Sequence, residues 1–181
     1  MKQLSQDRLA KRLLQLERQV FDLRRQLGGD REPRPEQAFD ALEVSDGESW
    51  YLVPIRPIRE VVAMVWPRPL PDSPEWVLGT FRYGDAVVPL VDLRRRLRGQ
   101  GLDCEPSLRV VVTDEPKWLA LVVSKVRSVV RVDPEVVAEP SEGISQAPFL
   151  LGTVNGDDGD SRHLLSIERL GREFIFAEEP G

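Results

Sequence analysis

The chain has 181 residues, of which 41% are hydrophobic and 30% charged, with a net charge of −5. That composition suits an ordinary soluble fold of one domain plus an appendage, and the negative balance argues against nucleic-acid binding by bulk electrostatics. The single cysteine, Cys104, excludes an internal disulfide and fits a reducing compartment.

Charge is unevenly placed. Residues 1–37 hold nine Lys/Arg against six Asp/Glu, so the negative excess lies wholly in the remainder. The N-terminal segment 1–27 reads as a helix from residue 4, because Leu9, Leu13, Leu16, Val20, Leu23 and Leu27 follow a 4-3-4-3-4 heptad spacing. Gly28-Gly29 ends it as a helix C-terminus should. A coiled coil, self-paired or with a partner helix, is the expectation; packing on its own domain is the alternative. Three heptads are marginal in isolation, so other contacts must stabilise the helix. The start, MKQLSQDR, lacks the apolar core of a signal peptide, and no run approaches ~20 apolar residues. A cytoplasmic location is therefore expected.

Residues 28–37 (GGDREPRPEQ) form a linker of glycine, proline and charge. From residue 38 the texture becomes short Val-rich runs between turn signals. Candidate strands are 38–44, 49–54, 60–66, 78–83, 86–91, 108–114, 117–123, 126–132, 149–154 and 163–167. Ten such runs predict an antiparallel all-β domain, as a barrel or barrels, over 38–170, with 171–181 as a C-terminal tail. No repeat with a period of roughly 20–50 residues is visible.

The most informative run is PEWVLGTFRYGDAVVPLVDLRRRL, residues 74–97. It predicts a hairpin with a two-residue turn at Gly84-Asp85, a composition that tolerates positive φ. Asp92 is placed to cap a short helix through Leu97.

Chemistry finds little support. His163, the single histidine, lies in a strand pattern and reads as structural. Cys104 has no second cysteine, so no metal site is expected. The acidic turn 156–160 lacks a distal Glu at calcium-loop spacing and reads as a hairpin loop. Neither a nucleophile elbow nor a phosphate-binding loop is present. No catalytic residue, cofactor or metal is predicted. The cluster Arg94, Arg95, Arg96 and Arg98 is the basic run of the β region. A nucleic-acid-binding barrel using Arg94–Arg98 is the alternative function. The plainer reading has Arg95, Arg96 and Arg98 on an exposed helix face and Arg94 in a structural pair, and no nucleic-acid partner is expected. Of the four tryptophans, Trp50, Trp76 and Trp118 are expected mostly in the core and Trp66 partly exposed.

Pro74, Trp76, Val77, Gly79, Val87, Pro89, Leu90, Val91, Asp92, Leu93 and Arg94 resemble the core signature of the CheW-like family. So do Trp50 to Ile55, Ile58-Arg59-Glu60-Val61-Val62, the loop from Pro69 to Gly79, Leu119 to Val126, Phe149 to Gly152, and Leu164 to Leu170, in the family's order. The resemblance implies two five-stranded antiparallel β barrels that bind no cofactor and catalyse nothing. It further implies an adaptor bridging the cytoplasmic tips of chemoreceptors to the regulatory domain of a CheA-type histidine kinase, beside membrane receptor arrays. The partner-binding positions carried over are Ile58, Glu60, Gly79, Arg82, Val88 and Asp92. At the hairpin the family usually writes Asn-Leu-Arg-Gly, whereas this chain has Arg82-Tyr83-Gly84-Asp85, with Gly84 in the arginine's place. With the N-terminal seam, this departure points to a specialised adaptor.

Overall fold

The computed structural model describes residues 37–114, 118–140, 147–156 and 158–177, with side chains through residue 172. The heptad seam Leu9 to Leu27 and most of the linker lie outside the described residues.

Ten strands form: β1 (Phe39–Ser45), β2 (Trp50–Pro54), β3 (Ile58–Ala63), β4 (Val77–Tyr83), β5 (Ala86–Asp92), β6 (Arg109–Thr113), β7 (Leu119–Val123), β8 (Lys125–Val132), β9 (Leu150–Asn155) and β10 (Ser161–Leu165). Helix α1 (Leu93–Arg98) follows β5, and α2 (Ile167–Ala177) follows β10. Each expected strand has its counterpart. No helix is expected from the sequence at α2, whose first residue, Ile167, closes the last candidate strand, 163–167.

The strands form two five-stranded sheets, ordered β8-β1-β2-β10-β9 and β3-β6-β7-β5-β4. The expectation of purely antiparallel barrels needs correction, because β10 pairs with β2 and β5 with β7 in parallel. A parallel pair needs a crossover; between β2 and β10 the chain runs through the other sheet, whereas between β5 and β7 it passes through α1 and β6 of the same sheet. Each sheet is rolled toward closure by one further bridge, Arg68 to Thr80 across β3 and β4 and Ala138 to Thr153 across β8 and β9.

These pairings reveal a repeat of about seventy residues, outside the roughly 20–50-residue periods of common repeat folds. The first half runs β1 to α1 and the second β6 to α2, and each sheet takes strands from both. The correspondence reaches individual bonds. Asp92 N donates to Trp76 O at 2.9 Å, and Ser166 N to Phe149 O at 2.8 Å. The Asp92 carboxylate accepts from Arg95 N at 3.0 Å, and the Ser166 hydroxyl from Arg169 N at 3.1 Å, so both residues cap the helix that follows. Arg95 Nη1 donates to Glu75 O and Arg169 Nη1 to Pro148 O. Both closing bridges also adjoin a glycine. At Gly79, with φ +134°, a Cβ would fall on the Arg68 carbonyl, and at Gly152 it would meet Ala138 O at 2.5 Å.

Three apolar clusters hold the fold. One lies between the sheets and includes Val44, Tyr51, Val53, Val91, Leu93, Val111, Leu121, Val123, Phe149 and Leu165. Val88, Leu90, Val110, Val112, Ala120 and Val122 fill one barrel, and Ala41, Leu52, Val132, Val137 and Leu164 the other. Successive residues of a strand face opposite sides, so β7 sends Leu119, Leu121 and Val123 to the shared core and Ala120 and Val122 into its barrel. Burial on both faces explains why these runs are nearly continuous Val and Leu. Each fully buried side chain of this kind contributes about 1.5–3 kcal/mol by removal from water.

Candidate functional site

The β4–β5 hairpin closes through Gly84-Asp85, with Tyr83 opposite Ala86 and Gly84 at φ +56°, the conformation the sequence predicts. Tyr83 Oη donates to Glu60 Oε2 at 2.6 Å and thereby joins the two edge strands of its sheet, β4 and β3. That bond raises the Tyr83 phenol above its ordinary range, since an ionised Tyr83 would face the Glu60 carboxylate. The Trp118 ring stands 5.6 Å from Tyr83. Tyr83, Gly84, Asp85, Ala86, Val87 and Trp118 line a shallow hollow of about 580 Å³. Val87 is 67% exposed on its rim, and Arg82 Nε donates to the Gly84 carbonyl at 3.3 Å.

The structure thus separates the six predicted partner positions. Glu60 and Arg82 are exposed and lie on strands that meet at this face. Ile58 is half-buried and packs against the core between the sheets. Val88, Gly79 and Asp92 must be corrected, for they are buried and offer no surface to a partner. Val88 fills a barrel interior because it shares its strand face with Leu90. Gly79 is where the closing segment crosses, and Asp92 is the α1 cap. The exposed apolar residue is Val87, one position away; alternation from the buried Leu90 could have identified it. Trp118 was expected inside and is 36% exposed; Trp50 and Trp76 are only partly buried, and Trp66 is the most open of the four.

The arginine cluster is committed internally. Arg94 pairs with Glu48; Arg98 reaches Asp46 at 2.8 Å, Glu48 at 3.2 Å and the Ser49 hydroxyl at 2.6 Å. Arg95 holds the Glu75 carbonyl, and the Arg96 guanidinium lies 5.5 Å from Trp76 and 5.0 Å from Phe149. Arg98 therefore joins Arg94 as a structural pair, rather than decorating the helix face. Guanidiniums engaged in this way are poorly disposed to follow a phosphate backbone, so the arrangement lends the nucleic-acid alternative no support.

Asp46 is the most heavily bonded buried carboxylate of the β1–β2 turn. It also accepts from Tyr51 Oη at 2.9 Å and from the Glu48 and Ser49 amides. Burial pushes its pKa up, but the bonds from Arg98, Ser49, Glu48 and Tyr51 outweigh that and hold it below its ordinary value. Tyr51, buried and facing Asp46, is displaced upward. In the same sheet, on the strand face that Glu43 shares with Leu52, Glu43 binds Arg162 and Ser128, Arg162 binds Asp158, and Arg127 stacks 3.8 Å over Trp50. The acidic turn is thus tied to arginine. His163 is buried against Tyr51 with Nδ1 3.3 Å from Thr153 Oγ1, and burial lowers its pKa. Nothing in the sequence signalled which carboxylates would be internal.

Among the described residues no group of three or more His, Cys, Asp or Glu is placed to hold a metal ion. No helix among them is long and apolar enough to cross a membrane.

Comparison with known proteins agrees with this architecture. The chain is 25% identical to the chemotaxis protein CheW of Treponema pallidum over 126 residues, covering 66% of this chain and 74% of that one. It is 29% identical to protein FrzA of Myxococcus xanthus over 140 residues, covering 76% and 86%. The crystal structure of the scaffolding protein TtCheW from Thermoanaerobacter tengcongensis superposes with a TM-score of 0.64 at 20% identity, over 75% of this chain and 88% of that chain. The CheW-like domain family matches residues 40–174, from β1 into α2, and the chain belongs to that family.

Proposed function

We propose that this protein is a non-catalytic adaptor of a bacterial chemosensory system, coupling chemoreceptor tips to the regulatory domain of a CheA-type histidine kinase. The observation that carries the reading is the family match across the whole β domain, 40–174. The names of its relatives, a chemotaxis protein and a scaffolding protein, support it. Within the domain, the face formed by Glu60, Arg82, Tyr83, Val87 and Trp118 is the docking surface. It combines an exposed Val and Trp with a polar rim, the composition of a protein contact rather than of a substrate pocket. Such a contact belongs to the smaller, transient interface class. The adaptor would work in the cytoplasm, beside receptor arrays.

The test is calorimetric titration of the full chain with the regulatory domain of the CheA-type kinase encoded nearest its gene. Binding in the micromolar range, weakened tenfold or more by Val87→Asp, is expected for a central anchor. Absence of binding to every such kinase of the source organism would overturn the adaptor reading. Binding that Val87→Asp leaves intact would move the docking surface elsewhere.

A further inference from the structure

We propose that this chain can pair with a second copy of itself by exchanging halves, and that Asp92 is the lock that keeps the exchange within one chain. Neither half owns a sheet. β1 and β2 of the first half lie with β8, β9 and β10 of the second, and β3, β4 and β5 with β6 and β7. All pairing between halves would be equally satisfied by halves from two molecules, which is the condition for a domain-swapped dimer. Closed and exchanged forms then differ only in the connection 99–108 between α1 and β6.

At the corner that leads into that connection the two repeats differ by one bond. Asp92 and Ser166 occupy equivalent corners and cap equivalent helices. Asp92 has a second oxygen, however, and its Oδ2 accepts from Leu102 N at 2.8 Å. Leu102 in turn packs on the cluster inside that barrel. A buried carboxylate thereby pins the connection in the path that returns β6 to its own first half. Gln100 and residues 103–107 around this anchor are exposed, and the bonds from Leu108 N to Glu105 O and from Arg109 Nη1 to the 106–108 carbonyls are local, so the Asp92 bond and the packing of Leu102 tie the segment back to the first half. A flexible connection of this length gives the tethered half an effective concentration in the millimolar range, which favours the closed monomer at ordinary concentrations.

The experiment refolds the full chain from urea and reads mass by light scattering. All samples carry Leu16→Glu and Val20→Glu, so that association through the heptad seam does not contribute. Deleting residues 101–106 should leave too short a connection for closure and yield a dimer with the native circular-dichroism spectrum. The dimer, once isolated, should persist on dilution and revert only after unfolding. A folded monomer, or a dimer that dissociates on dilution, would overturn the proposal. If the deletion does not fold, Asp92→Ser decides. It keeps a capping hydroxyl, as Ser166 does, and removes the anchor. Its dimer fraction after refolding at high concentration should rise several-fold over that of the parent. An unchanged fraction would overturn the role of Asp92.

Discussion

Arg98 and Asp46 lie 52 residues apart in the chain, and the Arg98 Nε donates to Asp46 Oδ2 at 2.8 Å. The bond ties α1, which continues from one sheet, to the β1–β2 turn of the other. Asp46 is fully buried, so truncating its partner leaves a charge that water reaches poorly. Arg98→Ala should destabilise the fold by about 2–3 kcal/mol, because an unpaired buried carboxylate costs more than the bond itself contributed. The shift of the urea midpoint measures it, and a change below about 0.5 kcal/mol, the range of ordinary surface substitutions, would show the pair to be incidental.

Acid should act through the same carboxylates. The Arg162 hydrogen bond, aided by the Asp160 amide, takes Asp158 down to about 2, and Asp46 is also held low. Unfolded, each returns to about 3.9. A carboxylate whose folded pKa is depressed stabilises fully above its unfolded value and loses that contribution as pH falls through the folded one. Resistance to urea should therefore decline between roughly pH 4 and pH 2. The decline should be shallower in Arg98→Ala; identical slopes would remove Asp46 from the explanation.

The glycines at the closing bridges should rank by geometry. Gly79→Ala combines positive φ with a clash on the Arg68 carbonyl, and a loss of at least about 2 kcal/mol is expected. Gly152→Ala meets backbone without the φ penalty, whereas Gly84→Ala enters open space at φ +56°, costing about 1 kcal/mol as a left-handed residue does. Denaturation midpoints in that order bear out the closures; equal midpoints for Gly79→Ala and Gly84→Ala would contradict them.

Val87 and Val88 make a paired test of strand facing. Val88→Asp buries a charge inside a barrel and should cost about 3 kcal/mol or more, while Val87→Asp should stay within about 0.5 kcal/mol. The expected outcome is a cooperative, native-like Val87→Asp variant that has lost kinase binding. A Val88→Asp variant of normal stability would mean that the facing is reversed.

The N-terminal seam calls for its own variant. Leu16→Glu with Val20→Glu places charges in the heptad face and alters no residue of the β domain. Light scattering should show a lower mass than wild type, or receptor binding should fall. If neither changes, the seam is an intramolecular packing face.

The sequence alone determined the strands, the Gly84-Asp85 turn and the Asp92 cap, because these depend on local chemistry: apolar runs, a residue that tolerates positive φ, a side chain that accepts from a nearby amide. Only the tertiary structure decided which sheet each strand joins. Where both faces of a strand are buried, as in β7, the apolar pattern no longer says which face points where; Val88 entered as a partner position through the family resemblance, and on β5 alternation from the buried Leu90 favours Val87 instead. The parallel pairings, the buried Asp46, and the seventy-residue repeat depend on contacts between distant halves. There the sequences have diverged while the backbone geometry has not, so Asp92 and Ser166 match only once the fold sets them at corresponding corners.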